Sequence, residues 1–189
     1  KLLNMDSEEE GIMLASCAGG CSSRVTLKLD KNKITGTKLS ITLSGLTGGH
    51  SGVEIDKGRG NANVLMSRIL RDAMIDNNVY LAAFNGGRKD NAIPRECMAE
   101  IIVAADKAAD VKAAIENTAK EIKEEFATSD ADLKCVIDIS EGCSAEAVTY
   151  EDSIRAVSLI QSLPNGIMRM SQDIDCLLYT SDAADDLIG

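Results

Sequence analysis

The sequence predicts an α+β fold: one antiparallel sheet with its helices on a single face. Three observations predict it. From Lys38 to Ile139 the apolar pattern alternates between strand and helix periods in the order strand, helix, strand, strand, helix, strand. The strand at Lys38–Ser44 is strictly two-sided, with Leu39, Ile41 and Leu43 against Ser40, Thr42 and Ser44. Both helical segments carry one apolar stripe. That order suits a split-βαβ, ferredoxin-like sandwich of two helices on a four-stranded sheet.

The elements follow in chain order. Lys1–Asp6 reads as the end of a buried strand, closed by Asp6, Glu8, Glu9 and Glu10. Open α/β sheets place ligands at such strand ends, so the acidic cluster reads either as a cation site or as a solvated turn. Strand-like runs follow at Ile12–Cys17 and Arg24–Asp30, with a turn at residues 30–33 before the Lys38–Ser44 strand. Asn61 is placed to cap a helix to about Ile75, striped by Ala62, Leu65, Met66, Ile69, Leu70 and Ala73. Val79–Phe84 is a short strand, residues 85–90 a polar turn, and Cys97–Ala104 a further strand. Pro94 sits at the bend before it, because proline cannot donate to a ladder. Val111, Ile115, Ala119, Ile122 and Phe126 stripe a second helix over about 108–126, and Leu133–Ile139 is the next strand. Thr149 with Asp152 resembles a capping box and opens a third helix to about Leu163. Pro164-Asn165-Gly166 stops it before a strand at Ile167–Met170.

With 189 residues the chain is large enough for one sizeable core, and with few aromatics that core is Ile, Leu, Val, Ala and Met. The net charge of −10 argues against nucleic acid or an anionic membrane surface as a partner. No apolar run approaches a membrane span, and no signal peptide precedes the first strand. The six cysteines are scattered. Cys17 and Cys21 have neither CxxC spacing nor two further ligands nearby, so the thiols read as buried and reduced in a cytosolic protein.

Ser44–Asn63, SGLTGGHSGVEIDKGRGNAN, stands apart. It holds six glycines and the only histidine, His50. Ordering so much glycine is costly, so such a loop is either a flexible surface segment or a place where backbone approaches a ligand closely. His50 between Gly48-Gly49 and Gly52 favours the latter. Lys57 and Arg59 read as a meeting point for a substrate carboxylate or as ordinary surface charge.

Five segments then carry a family resemblance: NMDSEEEG at 4–11, CAGG at 17–20, GLTGGHSGVEIDKGRGNAN at 45–63, GGRKDNAIPRE at 86–96 and MSQDID at 170–175. In this order they resemble the aminoacyl-histidine dipeptidases, also called Xaa-His or cytosolic non-specific dipeptidases, of the dinuclear zinc peptidase superfamily. The resemblance implies a cytoplasmic enzyme with an α/β catalytic domain and an inserted lid, or dimerisation, domain. Residues 1–15 would be the end of the first catalytic portion and 16–175 an incomplete lid of the enlarged kind. By motif position Asp6 matches a zinc ligand, His50 the lid histidine that stabilises the tetrahedral intermediate, and Asn91 a substrate-binding asparagine.

Two zinc ions would polarise the scissile carbonyl of a dipeptide, Xaa-His or other, and activate a water whose proton a glutamate takes. That glutamate and most ligands are expected outside this sequence, which would leave the chain inactive as it stands. A homodimer paired through its lids is implied, unless the enlarged lid mimics the pair. The competing expectation is a non-catalytic ferredoxin-like module that binds a small molecule or oligomerises, since fold does not fix function.

The last stretch, residues 176–189, has no period and continues nothing before it. CLLYTSDAADD is similar to the translation of a transposase adaptor used in sequencing-library preparation, which marks it as foreign to the fold. It adds aspartates and no basic residue, so the remainder is still acidic.

Overall fold

The computed structural model describes residues 10, 11, 13, 19–174 and 177–182. In chain order the elements are β1 (Lys31–Ser44), β2 (Gly49–His50), α1 (Ala62–Ala73), β3 (Tyr80–Gly86), β4 (Ala92–Ile93), β5 (Cys97–Val103), α2 (Ala108–Glu125), β6 (Lys134–Val148), α3 (Tyr150–Ser162), β7 (Asn165–Met170) and β8 (Leu177–Asp182). The main sheet has the order β3-β5-β1-β6 with every neighbour antiparallel. This is the ferredoxin-like arrangement expected from the order of periods.

The alternation in β1 decides which face the helices take. Leu39, Ile41 and Leu43 are fully buried. They lie opposite Ile101, Ala99 and Cys97 of β5 and opposite Ile139, Ile137 and Cys135 of β6. Leu65, Met66, Ile69 and Leu70 of α1 close over this face, with Val111, Ile115 and Ile122 of α2 and Val157 of α3 in the same core. Helix α1 packs between α2 and α3. Each fully buried Leu or Ile contributes about 1.5–3 kcal/mol over exposure, so the stripes hold the layers together. The reverse face is more polar: Glu100 of β5 accepts from Lys38 Nζ at 3.0 Å and from Ser40 Oγ at 3.3 Å, both on β1.

The caps are as expected. Asn61 accepts from the backbone N–H groups of Asn63 and Val64, and Thr149 accepts from that of Asp152. The strands differ more. Residues 24–30 carry no strand, and residues 31–33, expected as a turn, open β1. Strand β6 runs on past Ile139 to Val148, and its second half pairs with residues 31–36 of β1. In these outer arms most side chains are at least partly exposed on both faces, so no one-sided pattern marks them. Between the two halves Glu141 and Gly142 face Thr37 alone, a bulge that lets the long ribbon twist.

Cys97 is buried, but Cys21 is exposed and Cys135 and Cys143 are partly exposed. Among the described cysteines the expectation of a buried thiol therefore holds fully for Cys97 and in part for Cys135, which packs against the same core. Cys17, the expected strand at 12–17 and nearly all of residues 1–15 lie outside the described residues. Leu177–Asp182, set aside as foreign, pairs antiparallel with β7. The pairing describes the chain as it stands and says nothing of that segment's origin. Among the described residues, no helix is long and apolar enough to cross a membrane.

Candidate functional site

The glycine-rich loop is ordered from its ends inward. Asp130, in the turn between α2 and β6, is 1% exposed. Its Oδ1 accepts from the Thr47 N–H at 2.8 Å and its Oδ2 from the Gly60 N–H at 2.9 Å. Ser129 Oγ donates to the same carboxylate, and Thr47 Oγ1 donates to the Ser129 carbonyl. One buried carboxylate thus ties together the two ends of a segment that glycine alone would leave loose. Charge-assisted bonds of this kind are the stronger ones in proteins.

The middle of the loop is laced to the second motif. Strand β2 pairs with β4, with Gly49 opposite Ile93 and His50 opposite Ala92. The Ser51 N–H donates to the Asn91 carbonyl at 3.1 Å, and the Ala62 N–H, at the start of α1, to the Pro94 carbonyl at 3.0 Å. Arg95 Nε reaches the Leu46 carbonyl at 3.4 Å. His50 and Asn91, matched separately from the sequence, are therefore neighbours across one small ladder, and both are exposed.

The imidazole of His50 folds over its own turn. Its Nδ1 accepts from the Gly52 N–H at 3.0 Å and from the Val53 N–H at 3.2 Å. A Cβ on Gly52 would lie 3.2–3.3 Å from the ring, closer than most side chains tolerate. With Nδ1 an acceptor, the neutral ring carries its proton on Nε2, which is left as a donor. The His50 backbone is fixed as well. Its N–H donates to Glu54 Oε2 at 2.9 Å, and its carbonyl accepts from the Glu54 N–H at 3.0 Å.

Glu54 Oε1 pairs with Arg59 Nη2 at 2.9 Å, and Arg59 Nη1 donates to the Gly48 carbonyl. The His50 N–H, then Arg59, hold the Glu54 carboxyl below the usual glutamate range. Gly49, at φ 147, leaves room for this pair: a Cβ there would meet Arg59 Nη1 at 2.3 Å and Glu54 Oε2 at 2.6 Å. Arg59 is thus committed inside the loop. Of the two readings offered by the sequence, loose surface charge does not describe it. Lys57 pairs with Asp56 at the surface.

A cleft of about 530 Å³ adjoins the ladder, lined among others by Leu46, Arg88, Lys89, Pro94 and Arg95, with Glu96 its one acidic side chain. Among the described residues, no three His, Cys, Asp or Glu side chains are grouped so as to hold a metal. Asp6 lies outside the described residues. The described residues, with one histidine whose Nδ1 is turned into its own loop, do not fit a zinc centre.

Residues 41–130 match the family model of the peptidase dimerisation domain. This region is similar to that family. The domain contains His50 and Asn91, and also Glu54, Arg59 and Asp130. Over 183 residues the chain is 40% identical to the cytosol non-specific dipeptidase of Escherichia coli (strain K12), covering 95% of this chain and 37% of that protein. The fold superposes on the crystal structure of aminoacylhistidine dipeptidase from Vibrio alginolyticus with a TM-score of 0.73 and 29% identity, covering 80% of this chain and 31% of that one. The resemblance read from the five motifs is borne out. The chain spans about a third of the length of these relatives.

Glu54 sat in plain sight within a motif, yet nothing in its spacing marked it as a brace for His50. Asp130 lies 70 residues beyond Gly60. No local pattern points from one to the other.

Proposed function

We propose that this dimerisation domain serves as the lid of a zinc-dependent cytosolic dipeptidase that hydrolyses Xaa-His and other dipeptides. The observation that carries the proposal is the β2–β4 ladder, which sets a histidine whose Nδ1 is occupied, leaving Nε2 to donate, next to an exposed asparagine. Peptide hydrolysis develops negative charge on the carbonyl oxygen, and a preorganised donor aimed at that oxygen lowers the barrier. His50 is given this role, and Asn91 the binding of the substrate backbone. The cationic lining of the adjoining cleft suits the carboxylate end of a short peptide.

The metal supplies the activated water in such enzymes. Its ligands and the glutamate base are assigned to parts of the enzyme other than the described residues, with Asp6 proposed as one ligand. The chain alone is accordingly proposed to be inactive. Pairing of two lids into a homodimer is the partner relation that the domain type supports.

The test is to recover the complete gene and assay hydrolysis of β-alanyl-histidine with zinc and after chelation. Zinc-dependent turnover by the complete protein, and none by residues 1–189, is the expected result. A complete protein with no metal-dependent turnover of any dipeptide would leave the non-catalytic binding or assembly module as the function.

A further inference from the structure

We infer that Glu54 and Arg59 are positioning residues that hold the imidazole of His50 in its donor orientation, an inference that rests on the role proposed for His50. The two side chains form a closed brace. The Gly48 carbonyl is held by Arg59, Arg59 by Glu54, and the His50 N–H by Glu54. Residues 48 and 50, on either side of Gly49, are thereby fixed from below by one ion pair. The chain turns back immediately, with the Glu54 N–H on the His50 carbonyl, and this brings the Gly52 and Val53 amides under Nδ1. The ring's orientation is therefore set by the same short turn that the pair braces.

The pair is partly shielded, with the two side chains 21% and 35% exposed, so solvent screens it less than a surface pair. Its geometry is also specific. A lysine at 59 has no fork to reach both Glu54 and the Gly48 carbonyl, and a glutamine at 54 accepts through one oxygen only.

The chain has a single histidine, so its ring signals in NMR are unambiguous, and the Gly52 and Val53 amides report directly on the seat of Nδ1. Amide exchange of the 189-residue chain would be compared with that of Glu54→Ala and Arg59→Ala. Both variants should lose protection at Gly52 and Val53 by about tenfold, the scale of one charge-assisted hydrogen bond, while the amides of Ile41 and Ile101 in the sheet keep theirs. Arg59→Lys should recover only part of the loss. As a control, Arg68→Ala, which breaks the surface pair with Glu125, should leave Gly52 and Val53 unchanged. Unchanged protection at Gly52 and Val53 in both brace variants would overturn the inference. So would a uniform loss across the sheet, which is what a merely structural pair gives. The readout does not depend on turnover, so it is separate from whether His50 assists catalysis.

Discussion

The two ring nitrogens of His50 have different tasks: Nδ1 is occupied by the Gly52 and Val53 amides, and Nε2 is left to donate. Asp130 and Glu54 hold the loop that carries this difference, and each gives a different prediction. Asp130→Asn keeps the size of the side chain but loses one acceptor, so one of the Thr47 and Gly60 amides loses its partner. It should destabilise the fold by roughly 1–3 kcal/mol in denaturant unfolding. Glu54 predicts a pH dependence. Its folded pKa lies below the ordinary 4.5, so its contribution is complete above that value and is lost as pH falls through the lowered one. Protection of the His50 amide, which donates directly to Glu54 Oε2, should therefore be kept above 4.5 and decline on the acid side of it, a decline absent in Glu54→Gln. Cys97 is pushed up by burial and Cys135 to about 11, so thiol reagents at neutral pH should modify the exposed Cys21 ahead of either.

At the scale of elements, the helices and inner strands were legible and the outer strands were not. Helix α1 could be read because Asn61 caps it and its stripe is continuous. Asn61→Ala should cost about 1 kcal/mol of stability by the same reasoning. The centre of β1 could be read because one face is buried. Its first six residues and the second half of β6 pair with each other and, Ala147 and Val148 apart, are mostly exposed on both faces, so the ladder has little compositional trace. A polar run such as residues 30–33 then looks like a turn. The β2–β4 ladder is two residues long on each side, too short for any period, so its pairing left no trace even though the glycine content of the loop singled out His50.

For the molecule as a whole, a helix-backed sheet presents one loop cluster at one end of its strands. The sheet supplies rigidity: Ile101, fully buried at the centre, should cost 2–5 kcal/mol on truncation to alanine, roughly the range for a core isoleucine. Asp130 and the Glu54–Arg59 pair tie the loops to one another and to the turn before β6. Half of the candidate site was therefore legible. His50 and Asn91 could be named from motifs, whereas the groups that orient them could not, since hydrogen bonds between distant segments leave no periodic signal.

The most direct measurement is the steady-state kinetics of β-alanyl-histidine hydrolysis by the complete enzyme and its His50→Ala variant, with the bound metal quantified in both. A donor that acts on the transition state predicts a fall in kcat of about 10²- to 10³-fold with KM little changed and metal content equal. An unchanged kcat at equal metal content would contradict the role assigned to the glycine-rich loop.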